Sequence, residues 1–154
     1  MCTVHSVSSS FGTVKSRTRI SLLYVDDSPS MLEIIKIILE KDSRVDVQTC
    51  QCPKDALQKL LEQKYDLIIS DYDMLNMNGL QLLDTIRSRG LDTPFVLYTC
   101  HSLEEIKDEI IGMDLVYYVH KWGSIYDQIA KMKQIIQDSI SFTFQEFPLM
   151  NLFA

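Results

Sequence analysis

Five short apolar runs alternate with segments of helical periodicity along this chain, and that alternation constrains its fold more than any other feature. ISLLYV (20–25), VDVQTC (45–50), YDLIIS (65–70), PFVLYT (94–99) and VYYV (116–119) are β-leaning runs of four to six residues. After the first, Ser28 is suited to cap a helix and Pro29 to open it. Met31, Leu32, Ile35, Ile38 and Leu39 then fall on one helical face. Pro53 opens a second helix with Ala56, Leu57, Leu60 and Leu61 expected inward, and LQLLDTIRSR forms a third that closes at Gly90. Ser102 and Glu105 have capping-box spacing for the fourth. Ser124 starts the fifth, whose Ile125, Ile129, Met132, Ile136 and Ile140 read as its inner face. Strands alternating with helices imply an α/β fold, a doubly wound parallel sheet of five strands with helices on both faces.

In such sheets the loops leaving the carboxyl ends of the strands converge on a ligand crevice. Here the first strand runs into Asp26 and Asp27, the third into Asp71, the fourth ends in Thr99, and His120 and Lys121 follow the fifth. Three carboxylates, a hydroxyl and an ammonium should therefore meet at one edge. Carboxylates brought together repel, so they must hold protons or bind a cation. An all-oxygen donor set suits Mg²⁺, whereas Zn²⁺ would call for His or Cys among the ligands. A carboxylate flanked by Mg²⁺ and a lysine is competent as a nucleophile towards a phosphoryl group.

The totals narrow the partners. A chain of 154 residues suffices for one domain with a real core. Net charge is -6, with 15 Lys and Arg scattered among 21 acids, which argues against direct nucleic-acid binding. No apolar run is long enough to span a bilayer and the N-terminus lacks the pattern of a secretory signal, so a cytoplasmic protein with no membrane insertion is expected. Cys2, Cys50, Cys52 and Cys100 have no metal-site spacing and read as reduced thiols. Residues 1–17 read as a flexible leader, 18–141 as the domain, and 142–154 as an apolar tail that folds back or meets a partner.

The acidic pair after strand one, SDYDMLNMNGLQLL around strand three, FVLYT on strand four and YYVHK on strand five together resemble the response-regulator receiver domains of two-component signalling. YDLIISDYDM and PFVLYT resemble those of short archaeal receivers in particular. The resemblance spans about residues 18–141 and implies a flavodoxin-like strand order, 2-1-3-4-5. It implies that Asp71 is the phosphoacceptor. Asp27 would ligate Mg²⁺ directly, Asp26 through water, and Asp73 through its backbone carbonyl. Lys121 would hold the phosphoryl oxygens, Thr99 would swing towards them, and Tyr118 would turn inward behind it. Cys100, His101 and Asp73 would tune the lifetime of the phosphoryl group, with Cys100 narrowing access. Leu75 and Trp122 stand where the family commonly has proline, and a trans peptide is expected before Trp122.

The implied role is a stand-alone switch that assists its own phosphorylation and dephosphorylation rather than an enzyme acting on other molecules. Its phosphodonor would be a histidine kinase or a histidine phosphotransfer protein, and its downstream target another protein. Each residue also has a plainer reading. Asp26 and Asp27 could merely start a helix, Asp71 could be a turn residue, Thr99 a strand residue, and Tyr118 a core aromatic. Their joint placement at the right strand ends favours the functional reading. Two other functions compete: a receiver-like module that is never phosphorylated, and a haloacid-dehalogenase-type phosphatase reading Asp71-Tyr72-Asp73 as its motif. The order of the acids and the chain length count against the phosphatase.

Overall fold

The computed structural model describes residues 19–141 apart from Val116; the leader and tail proposed from the sequence lie outside them. Five strands and five helices alternate as read from the sequence. They are β1 (Ile20–Val25), α1 (Pro29–Leu39), β2 (Val45–Cys50), α2 (Pro53–Glu62), β3 (Leu67–Ser70), α3 (Gly79–Ser88), β4 (Phe95–Thr99), α4 (Leu103–Ile110), β5 (Tyr117–His120) and α5 (Ile125–Ser141). The strands form one parallel sheet in the order β2-β1-β3-β4-β5, the flavodoxin-like arrangement. The chain leaves β1 towards β2 on one side and returns to β3 on the other, so a crevice opens between the ends of β1 and β3.

Alternate residues of each strand serve two separate cores. Leu22, Tyr24, Leu67, Ile69, Val96, Tyr98 and Val119 pack under α1 and α5. Leu23, Val25, Ile68, Phe95 and Leu97 pack under α2, α3 and α4. Burial on both faces explains why the strands read as continuous apolar runs rather than alternating ones.

The local signals act as the sequence suggests. Ser28 Oγ accepts from the Met31 amide with Pro29 in the first helical position. Ser102 and Glu105 form a reciprocal capping box, and Gly90 follows α3 with φ of 73°. Asn78 and Gln81 make a second capping box on α3, which the sequence reading missed.

Some expectations need correction. Leu61 is 66% exposed rather than inward. It lies about a quarter turn from the middle of the buried arc of Pro53, Ala56, Leu57 and Leu60, just past its edge. On α5 Ile135 joins the core, whereas Ile140 remains 36% exposed. A helix of 17 residues is about 25 Å long and a strand of 4 residues only about 13 Å, so the last turn overshoots the sheet. Strand β3 starts at Leu67 instead of Tyr65, because the Ser21 amide donates to the Asp66 carboxylate just ahead of the ladder. Strand β4 starts one residue later than read, at Phe95, and β5 ends one later, at His120.

Candidate functional site

Register brings the strand ends level. Val25 of β1 lies beside Ser70 of β3, and Thr99 of β4 beside His120 of β5. The Asp71 amide donates to the Val25 carbonyl at 2.9 Å, and the Lys121 amide to the Thr99 carbonyl at 2.7 Å. Both functional candidates thus extend the ladder by one residue, and their side chains emerge at its rim.

Asp26 is almost wholly buried. Its carboxylate accepts from the Tyr24 hydroxyl at 2.7 Å, the Ser28 amide at 2.9 Å and Lys121 Nζ at 2.9 Å. Asp71 is also buried, and its Oδ1 takes the Tyr72 amide at 2.9 Å and lies 3.1 Å from Lys121 Nζ. Burial pushes the Asp71 carboxyl above the ordinary carboxylate range; Lys121 pulls it back, and Asp26 pushes it further up. For Lys121 burial alone would lower the ammonium, but Asp26 and Asp71 together raise it. Burial, joined by the Asp26 carboxylate, drives the Tyr24 phenol far above its usual value, so Tyr24 is a permanent donor. Lys121 Nζ also rests 4.8 Å from the centre of the Tyr98 ring.

Asp27 stands exposed at the mouth. One carboxylate oxygen from each of Asp26, Asp27 and Asp71 lies within 4.8 Å of the others. Three carboxylates against one ammonium leave an excess of negative charge in a partly desolvated crevice, which an oxygen-loving divalent cation would neutralise. With only oxygen donors and an open outer side, the cluster fits Mg²⁺.

Gly79 keeps the floor of the site tight. A Cβ there would come 2.2 Å from the Asp71 carbonyl oxygen, and the Gly79 amide donates to the Tyr72 carbonyl at 2.9 Å. Across the mouth, Thr99 is fully buried and its Oγ1 accepts from the His101 amide at 3.1 Å. The half-buried Tyr118 donates its hydroxyl to the His101 carbonyl at 2.6 Å. His101 in turn pairs through Nε2 with Asp73 Oδ2 at 2.8 Å, as a rim residue. Cys100 is exposed, and its carbonyl accepts from His120 Nε2 at 2.9 Å. Leu75 is 78% exposed, and Trp122, 81% exposed, follows a trans peptide.

Asp26, Asp27, Asp71 and Lys121 therefore meet directly, while Thr99, Tyr118 and Asp73 meet through His101. Tyr24 and Tyr98 are supporting residues that the sequence reading passed over. A period-two signal was available for Tyr24, which shares its sheet face with Asp26 two residues on.

The profile of the response regulator receiver domain family matches residues 22–133. The chain belongs to that family. Among curated relatives, the signal transduction histidine-protein kinase BarA of Escherichia coli is 27% identical over 111 residues, 71% of this chain and 12% of BarA. The two-component response regulator ARR11 of Arabidopsis thaliana is 40% identical over 78 residues, 49% of this chain and 15% of ARR11. The receiver thus spans about an eighth to a seventh of the length of these relatives. Among solved structures, the chemotaxis response regulator CheY4 of Vibrio cholerae aligns with a TM-score of 0.67 and 27% identity, covering 77% of this chain and 99% of CheY4. The response regulator protein TrrA from Thermotoga maritima, in complex with Mg²⁺–BeF, aligns with a TM-score of 0.64 and 26% identity, covering 76% and 98%. Receiver domains are regulatory switches of two-component systems. Among the described residues, no helix is long and apolar enough to cross a membrane.

Proposed function

We propose that this receiver accepts a phosphoryl group on Asp71 from a histidine kinase or a histidine phosphotransfer protein, and that the modified domain presents an altered surface to a downstream protein. One observation carries the reading: Lys121 Nζ bridges Asp26 and Asp71 at 2.9 and 3.1 Å while Asp27 completes an oxygen cluster at the mouth. The TrrA relative, a complex with Mg²⁺ and a fluoride of beryllium, supports extending metal and phosphoryl-type chemistry to the same fold.

Asp26, Asp27 and Asp71 would hold Mg²⁺, with the Asp73 backbone carbonyl as a further ligand. When bound, the ion offsets negative charge on the transferring oxygens, the dominant electrostatic task in phosphoryl transfer. The Tyr72 amide and Lys121 orient Asp71 through Oδ1, which leaves Oδ2 to attack phosphorus. The new O–P bond forms as the P–N bond of a donor phosphohistidine breaks, and the imidazole leaves with the electron pair. Lys121 is placed to pass from the Asp71 carboxylate to a phosphoryl oxygen as charge develops there. Thr99 would follow that oxygen, and Tyr118, held through His101, would shift with it. Asp73, Cys100 and His101 surround the mouth through which donor and water enter, and so are placed to tune the lifetime.

Intact mass after incubation with acetyl phosphate and Mg²⁺ tests this. The expected result is one Mg²⁺-dependent phosphoryl adduct that is lost in Asp71→Asn. Failure to form either an adduct or a complex with beryllofluoride would sink the proposal and favour a receiver-like module that works without phosphorylation.

A further inference from the structure

Beside the proposed Thr99–Tyr118 route, a second physical connection leaves the phosphoacceptor. Tyr72, the residue after Asp71, has its amide on Asp71 Oδ1 at 2.9 Å and its side chain on α4. Its hydroxyl lies 2.8 Å from both carboxylate oxygens of Glu109, 37 residues away in sequence. Between these ends the ring packs on His101, with ring centroids 4.8 Å apart and planes tilted by 59°. His101 is thereby held on four sides: its amide by Thr99, its carbonyl by Tyr118, and its ring by Asp73 and Tyr72.

We propose that Tyr72 is a positioning residue for Asp71, and that Glu109 of α4 holds it in place as a latch. This rests on Asp71 being the phosphoacceptor. The link has one soft joint, the hydroxyl–carboxylate contact, and one stiff one, the planar peptide that carries the Tyr72 amide to Asp71 Oδ1. Movement of α4 that carries Glu109 away frees the Tyr72 ring, and through the backbone it disturbs the hydrogen bond orienting the acceptor oxygen. By reciprocity, a change at Asp71 biases where α4 rests. The helix has reason to be movable: of its residues Leu103–Ile110 only Ile106 is fully buried. The Tyr72 hydroxyl is the donor and the Glu109 carboxylate, which has no proton to give, the acceptor.

Three substitutions separate the latch from a surface contact of no consequence. Tyr72→Phe removes the hydroxyl and keeps the ring; Glu109→Ala removes the acceptor; Glu109→Gln keeps a side-chain oxygen that still accepts. Two readouts apply to each: amide hydrogen exchange across Leu103–Ile110, and the rate of phosphorylation by acetyl phosphate at saturating Mg²⁺. Tyr72→Phe and Glu109→Ala should each speed exchange across α4 and slow phosphorylation about threefold, the scale of one partly exposed hydrogen bond. The double variant should match either single one, because both cut the same link, and Glu109→Gln should recover most of both readouts. Effects that multiply in the double variant, or wild-type phosphorylation by Glu109→Ala, would overturn the latch. A wild-type protein that forms neither an adduct nor a beryllofluoride complex would overturn the functional reading instead. The latch would then be decided by α4 exchange and by Mg²⁺ affinity read from Trp122 fluorescence, and no change in either for Tyr72→Phe would reject it.

Discussion

Two cations sit at opposite ends of the sheet, nearly equally enclosed, with side-chain exposures of 11% for Lys121 and 15% for Arg87. Arg87, in the last turn of α3, turns towards the loops that enter β4 and β5. Its guanidinium donates to the carbonyls of Leu91 at 2.8 Å, Thr93 at 3.0 Å and Asp114 at 3.4 Å. Its Nε lies 2.9 Å from Asp114 Oδ2, an ion pair without hydrogen-bond alignment. The fork-shaped group ties three loop carbonyls to one helix, and the carboxylate it meets is largely exposed. Lys121 instead faces buried carboxylates that outnumber it. At the Arg87 end the cation is balanced by one carboxylate and its terminal nitrogens bind three carbonyls, so the local structure is closed. At the Lys121 end charge is left unmatched, and that mismatch is what the proposed cation and phosphoryl group would answer. Burial of a cation alone says nothing about function; the charge balance around it does.

Substitution at each cation should break the symmetry of this pair. Lys121→Met should reduce phosphorylation by acetyl phosphate about a hundredfold, the usual cost of removing one charge-stabilising group from a transfer site. It should also lower thermal stability in metal-free buffer, because Asp26 loses its buried counter-charge, and saturating Mg²⁺ should restore part of that loss. A melting series with and without Mg²⁺ measures both stability effects, and a Lys121→Met variant that phosphorylates normally would leave the two cations alike in role.

Arg87→Ala should do the converse. Leaving the Leu91 and Thr93 carbonyls without their donor should cost about 2–4 kcal/mol in urea unfolding. Added Mg²⁺ should stabilise this variant no more than it stabilises wild type. Its phosphorylation rate, measured where it remains folded, should be that of wild type.

The smallest effect concerns Asp42, at the same end of the sheet as Arg87. The Arg44 side chain, then its amide, holds the Asp42 carboxyl down at about 2. A carboxylate lowered in the folded state stabilises it above the ordinary value, and that gain is lost as pH falls through about 2. Wild type should therefore melt slightly above Asp42→Asn near neutral pH. Melting curves between about pH 5 and pH 2 should show the gap closing.

The legible part of the site was the part carried by strand ends. Asp26, Asp27, Asp71, Thr99 and Lys121 each fall at a place where an apolar run stops, and a parallel sheet brings such places to one edge whatever lies between them. The core was legible for the same reason, with misreadings at Leu61 and Ile140, where helix phase and helix length against strand length decide exposure. Residues acting across elements gave no such signal. Tyr98 reaches Gln128 at 2.6 Å across the sheet and α5. Tyr72 reaches Glu109, and Asp73 reaches His101 across the mouth. Each partner taken alone is an ordinary strand, loop or helix residue.

The sequence by itself determined the alternation of elements, the parallel sheet, and which residues would stand at its carboxyl edge, because periodicity and the rules of strand connection are local or topological. Only the tertiary structure decided that Lys121 shares itself between Asp26 and Asp71, that Tyr24 holds Asp26, and that His101 joins Thr99, Tyr118, Asp73 and Tyr72. Those facts depend on side-chain directions and on separations of a few ångströms between elements distant in sequence. Packing of the completed fold sets them, and no repeating pattern along the chain encodes them.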